Sequence, residues 1–150
     1  MYVLHSKIVQ SQDYSEVIAI WERSVQKTHQ FLVQEDIAFY RNILPQHFQE
    51  IELRLWSVDN QVIGFSGTSK TELVMLFLDP AFIGKSYGSR ILEWLIEEKR
   101  IDRVDVNTQN TYDKAFYIKQ GFKVLSEDAK DGYGKEYPIK HLVKDHQAVS

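Results

Sequence analysis

The chain has 150 residues, no cysteine, and a formal charge of −3 from 18 Lys+Arg against 21 Asp+Glu. An apolar content of 43% at this length suits one globular domain over 1–150 and excludes a disordered chain. Without cysteine there is no disulfide scaffold, no cysteine-held metal and no thiol nucleophile. A pI near 5.9 argues against a nucleic-acid partner. No apolar run approaches the roughly 20 residues that span a bilayer, and Met1–Gln10 lacks the regions of a signal peptide. A cytoplasmic protein with no membrane partner is expected.

Val3, Leu4 and Ile8 open a first strand. Asp13 reads as a helix N-cap with Glu16 as its capping-box partner, and Val17, Ile18, Trp21 and Val25 follow at helical spacing. A second helix starts near Gln34–Asp36, carries Ile37, Tyr40 and Leu44, and is predicted to stop at Pro45. Between the two lies the connector Thr28-His29-Gln30-Phe31-Leu32. The period then changes to alternation. Glu52–Val58, Val62–Thr68 and Thr71–Leu78 read as an antiparallel meander, with Asp59-Asn60 as its first turn. An amphipathic helix over Tyr87–Lys99 carries Ile91, Leu92, Leu95 and Ile96 on its apolar side. A short strand at Arg103–Val106, a short helix at Asp113–Gln120 closed by Gly121, and strands at Phe122–Leu125 and Tyr137–Val143 complete the order. The tail from Lys144 is expected to fray. The fold class is α+β, with a mostly antiparallel sheet and one parallel strand–helix–strand unit.

The segment Ile83-Gly84-Lys85-Ser86-Tyr87-Gly88-Ser89 lies between an apolar strand and the amphipathic helix. Two glycines allow a tight turn, and the helix start adds unpaired N–H groups and partial positive charge. The chemistry this favours is an anion, phosphate above all; the plain alternative is an ordinary turn. A P-loop needs glycine where Asp79 stands, and the dinucleotide spacing also fails. Gly84-Lys85-Ser86-Tyr87-Gly88 does satisfy G-x-S-x-G, with Asp131 and His141 following in triad order, so a serine hydrolase acting through Ser86 is a remote alternative. Against it, Pro80–Gly84 separates the strand from Ser86.

The same loop resembles the acetyl-CoA loop of the GNAT N-acetyltransferases, with Ile83 standing where that family has Gln or Arg and Ser86 where it has its first Gly. Leu76-Phe77-Leu78-Asp79-Pro80 resembles the family's fourth strand. Asn110 with Ala115-Phe116-Tyr117-Ile118-Lys119-Gln120-Gly121-Phe122 resembles its second signature. Thr28–Leu32, Val106–Asn110 and Asp131–Leu142 look like the YjaB-like bacterial branch of the family. The resemblance implies a sheet of about six to seven strands, a V-shaped splay between the fourth and fifth strands, and about four helices.

It also implies acetyl-CoA as cofactor, and direct acetyl transfer to the primary amine of a small molecule or peptide. Backbone groups of Leu76, Phe77 and Leu78 would bind the pantetheine arm, with an N–H near Phe77 as oxyanion donor. Residues Gly84–Ser89 would bind the pyrophosphate, and Ile83 would flank it. Tyr117 would be the general acid, and Asn110 would bond the cofactor arm or cap the short helix. For the base, Glu72 on the fourth strand and His29 in the connector are candidates; His29 could instead simply touch the acceptor. His141 reads as a sheet residue, and no metal-ligand spacing is present. A monomer or homodimer is expected. A catalytically silent acyl-CoA sensor is the second reading, motivated by the departures at Ile83 and Ser86.

Overall fold

The computed structural model describes residues 2–144. Seven strands are β1 (Leu4–Ile8), β2 (Glu52–Val58), β3 (Gln61–Ser69), β4 (Glu72–Leu78), β5 (Arg103–Asn107), β6 (Phe122–Asp128) and β7 (Ile139–Lys144). Four helices are α1 (Tyr14–Thr28), α2 (Gln34–Phe48), α3 (Tyr87–Lys99) and α4 (Thr111–Lys119). The strand order is β1-β2-β3-β4-β5-β7-β6. β4 and β5 run parallel, as the intervening helix α3 requires. The expected α+β class, strand number and helix number all hold. The chain packs as two compact units: residues to Ser69 with Val74–Ile91, and Lys70–Leu73 with Leu92 onward.

The first unit is a meander covered by two helices. Asp59 and Asn60 both take positive φ, 52° and 65°, the conformation of a two-residue hairpin whose twist matches its strands. β3 lies against β4 through glycines. A Cβ on Gly64 would meet the Phe77 carbonyl, and one on Gly67 would lie 3.6 Å from Met75 Cβ. Leu53, Leu55 and Phe65 of the sheet pack with Val17, Ile20, Trp21 and Val25 of α1 and Ile37, Leu44 and Phe48 of α2. The buried Trp56 indole donates to Ser66 Oγ at 2.9 Å, which satisfies both polar groups.

Two local expectations are corrected here. α2 does not stop at Pro45 but continues to Phe48. A proline removes one N–H and crowds the preceding turn, yet here it sits in the last turn. Beyond it, Phe48 is buried with its ring 5.1 Å from Tyr14, and that packing holds the turn. Asp13 does not cap α1 with its side chain. Its carboxylate instead accepts from the Gln10 N–H at 3.0 Å and closes a single 3₁₀ turn ahead of the helix.

The second unit begins at the β3–β4 turn. Leu73 pairs with Val104, and Glu72 with Arg103. The ladder between β4 and β5 covers these two pairs, while β4 itself runs on to Leu78. β5 pairs with β7, and β7 with β6, both antiparallel. Leu92, Leu95, Ile101, Val104 and Leu142 are buried. Gly121 at φ +100° ends α4, as its position predicts. β6 extends to Asp128 rather than Leu125, and β7 begins at Ile139 rather than Tyr137. The predicted fraying concerns a tail, with His146, whose residues 145–150 lie outside the described ones. Among the described residues no helix is long and apolar enough to cross a membrane.

Candidate active site

In the first unit β4 ends at Leu78, and the Asp79 N–H donates to the Ile63 carbonyl at 2.8 Å. Pro80–Phe82 form one 3₁₀ turn. Asp79 also accepts from Arg23 of α1 at 2.6 Å, so α1 is tied to the strand end. Gly84 then takes φ +85° and Ser86 takes φ +67°. Gly84, Lys85 and Ser86 are exposed, Gly88 is buried, and α3 starts at Tyr87 with the Arg90 N–H on the Ser86 carbonyl at 3.3 Å. Tyr87 is held by Tyr2, 4.9 Å away between ring centroids, and by Phe82 at 6.1 Å. Two left-handed residues separated by one, followed by a helix start, form the kind of backbone turn that anion-binding loops use. Any anion held here would be held by backbone N–H groups, which the side chains of Ile83 and Ser86 do not supply.

Ser86 holds the backbone conformation for which a glycine is best suited. The backbone there needs the left-handed region, which a glycine adopts without strain and a serine does at a cost near 1 kcal/mol. Ser86→Gly is therefore expected to raise stability by about 0.5–1 kcal/mol while acetyl-CoA binding is kept. Urea unfolding and calorimetric titration check it.

His29 lies in the same unit, directly after α1. Its imidazole is buried, 5.3 Å from the Phe31 ring and 6.0 Å from the Phe77 ring of β4 by centroids. Burial pushes its pKa down from 6.5 to about 4, so the ring is neutral at pH 7. The unfolded chain binds the extra proton between those values, so stability falls as the pH drops through this window. Moving from pH 7 to pH 4 should cost roughly 2–4 kcal/mol through His29. His29→Leu should remove this part of the acid sensitivity in urea unfolding; an unchanged acid limb would contradict the burial account.

The second unit holds the other candidates. Tyr117 on α4 is buried, its ring 5.0 Å from Phe116 and 5.7 Å from Phe122. Burial, and then the nearby Asp113, push its phenol well above its ordinary range, so it keeps its proton. Asn110 is the N-cap of α4: its Oδ1 accepts from the Asp113 N–H at 3.0 Å, and its Nδ2 donates to the Asp113 carboxylate at 2.9 Å. Of the two readings left open for Asn110, the cap is the one displayed. Burial raises the Asp113 carboxyl to about 6, a feature the sequence reading did not anticipate.

Glu72 opens β4 opposite Arg103. Burial and Asp105 raise its carboxyl, while Arg103 and His141 oppose the rise. His141 is a sheet residue with a specific task. Its Nδ1 lies 2.6 Å from Asp105 and its Nε2 2.7 Å from Asp128. Only an imidazolium donates from both nitrogens, and these bonds raise its pKa. Asp131 accepts from the N–H groups of Tyr133 and Lys135, both at 2.9 Å. Neither residue is left to serve Ser86, and the hydrolase alternative loses its triad. Among the described residues no group of three His, Asp or Glu is arranged to hold a metal.

Residues 52–124 match the family model described as an acetyltransferase (GNAT) domain. The peptidyl-lysine N-acetyltransferase YjaB of Salmonella typhimurium is 32% identical over 133 residues, 88% of this chain and 92% of that protein. The chain belongs to the GNAT acetyltransferase family. Its fold is shared with the solution structure of apo YjaB from Escherichia coli, at TM-score 0.85 and 30% identity over 94% of this chain and 97% of that one. It is also shared with the PaiA N-acetyltransferase of Thermoplasma acidophilum, solved in complex with coenzyme A, at TM-score 0.70 and 23% identity over 96% and 99% of the chains. As a member of the family the protein is an N-acetyltransferase that takes acetyl-CoA as acyl donor and an amine as acceptor. The sensor and hydrolase alternatives find no support.

Proposed function

We propose that the acceptor is the ε-amine of a lysine in a peptide or protein. The observation that carries this reading is the likeness, over nearly the whole of both chains, to a peptidyl-lysine N-acetyltransferase. A lysine amine is protonated at neutral pH, with a reference pKa near 10.4. It must lose a proton before or during attack, so a neutral acceptor nitrogen close to β4 is the chemical requirement. His29 is one candidate: its ring is neutral at pH 7 and lies against Phe77, but the burial that holds its pKa near 4 makes it a weak base. Glu72 is the second candidate: burial and Asp105 raise its carboxyl, which favours proton acceptance.

Acetyl-CoA supplies the acyl group as a thioester. The remaining roles belong to the chain. The loop Ile83–Ser89 and the first turn of α3 hold the phosphates with backbone N–H groups. Leu76 and Leu78 align the pantetheine arm along β4, and the Phe77 N–H donates to the carbonyl oxygen as negative charge builds there. Tyr117 holds the proton that the leaving sulfur takes. The acceptor amine gives up one proton and the leaving thiolate takes one, so protons balance over one turnover.

The test offers the enzyme a lysine peptide, the same peptide with lysine replaced by arginine, and a free polyamine, each with acetyl-CoA. Acetylation of the lysine peptide alone supports the proposal. Acetylation of the polyamine in preference to the peptide assigns the acceptor to the small amines instead.

A further inference from the structure

We propose that Tyr2 is a positioning residue for acetyl-CoA binding: its ring braces the first turn of α3 and so holds the loop Ile83–Ser89 in its binding conformation. The proposal rests on the reading of that loop as the one that holds the cofactor's phosphates, and adds a residue far from it in sequence. Gly84, Lys85 and Ser86 are exposed, and Gly84 and Ser86 sit at φ +85° and +67°. A serine in the left-handed region is strained, so the loop lowers its energy by relaxing. The first four N–H groups of a helix have no helical acceptor, so the helix start that follows is the part most ready to fray. Such a loop binds an anion well only if something outside it keeps its shape.

Tyr2 stands just ahead of β1, and its half-buried ring meets two residues of α3 at once. Tyr87, the first residue of α3, lies 4.9 Å from it between ring centroids with the planes at 77°, an edge-to-face pair. The Arg90 guanidinium lies over the Tyr2 ring, 5.6 Å from its centroid. Residues at this spacing share one side of a helix, so one ring covers both. Tyr87 also lies 6.1 Å from Phe82. Phe82 precedes the two left-handed residues and Tyr87 follows them, so this contact closes the base of the loop. The Arg90 N–H donates to the Ser86 carbonyl at 3.3 Å, which links the strained residue to one that Tyr2 holds. All of these residues belong to the first unit. Removing the Tyr2 ring removes the edge-to-face contact and the cation–π contact together. Both belong to the ring and not to the hydroxyl, so phenylalanine should keep them.

The test compares the wild type with Tyr2→Ala and Tyr2→Phe. Hydrogen exchange read by mass spectrometry follows residues 83–89 with and without acetyl-CoA, calorimetry gives the acetyl-CoA dissociation constant, and steady-state kinetics with a lysine peptide give KM and kcat. In ligand-free Tyr2→Ala, exchange over 83–89 is expected to be at least about threefold faster than in the wild type, with exchange over α2 unchanged. The dissociation constant and the KM for acetyl-CoA should rise about fivefold, with kcat within about twofold, because the bound cofactor orders the loop in both proteins. Tyr2→Phe should match the wild type throughout. Calorimetry needs no acceptor, so the binding result stands whatever amine is acetylated. An unchanged dissociation constant in Tyr2→Ala, or an equal rise in Tyr2→Phe, overturns the proposal. Exchange that rises as much over α2 as over 83–89 overturns it too, because the effect is then general loss of stability. If acetyl-CoA fails to slow exchange over 83–89 in the wild type, the reading of the loop fails, while the ligand-free exchange still decides whether Tyr2 braces it.

Discussion

Gly64→Ala is expected to destabilise the protein by about 3 kcal/mol and to remove measurable acetyl-CoA binding with it. The cause is a backbone contact. A Cβ at this position would overlap the Phe77 carbonyl oxygen and lie 2.9 Å from Leu78 Cδ2 and 3.0 Å from Leu78 Cα. A flexible side chain could step aside, but a carbonyl in a paired strand moves only with its strand. The displaced residues are those proposed to bind the pantetheine arm and to donate to the carbonyl oxygen. Stability and binding should therefore fall together. Gly132→Ala is the control, because its added Cβ meets nothing within 4 Å. It should unfold within about 0.5 kcal/mol of the wild type. Urea unfolding followed by fluorescence checks both. A Gly64→Ala protein as stable as the Gly132→Ala control would show that β3 and β4 are not packed as described.

Tyr117→Phe is expected to lower kcat by about 100-fold and leave the acetyl-CoA dissociation constant within about twofold of the wild type. The substitution separates two roles the residue could have. The ring contacts with Phe116 and Phe122 survive in phenylalanine, so a purely structural tyrosine predicts no loss. The hydroxyl alone is removed, so a proton donor predicts a loss in the chemical step. Burial already keeps that hydroxyl protonated throughout the working pH range. The rate should therefore show no limb from Tyr117 titration between pH 6 and roughly 9. Steady-state kinetics with calorimetric binding decide between the two. An unchanged kcat in an assay limited by chemistry would withdraw the role.

Much of this architecture is legible in the residues because it is local. Asp59-Asn60 declares its hairpin through side chains that tolerate positive φ. The amphipathic pattern of Tyr87–Lys99 places Ile91, Leu92 and Leu95 inside, where they are found. The loop before that helix shows its tight turn through Gly84, which takes φ +85°. What was not legible depends on partners distant in sequence. Pro45 reads as a stop until Phe48 is seen packed on Tyr14. His141 reads as an ordinary strand residue until the register brings Asp105 opposite it and Asp128 beside it. Ser86 reads as damage to a glycine motif, and the backbone shows a serine held in the glycine's conformation.

The central claim is that acetyl passes directly from acetyl-CoA to a lysine amine. Mass spectrometry of enzyme and lysine peptide through one time course, with released CoA thiol measured in parallel, tests it most directly. The account predicts that the peptide gains one acetyl group in step with thiol release, while the enzyme's own mass stays constant. Acetylated enzyme that appears before acetylated peptide, or an unmodified peptide in the presence of bound acetyl-CoA, would contradict it.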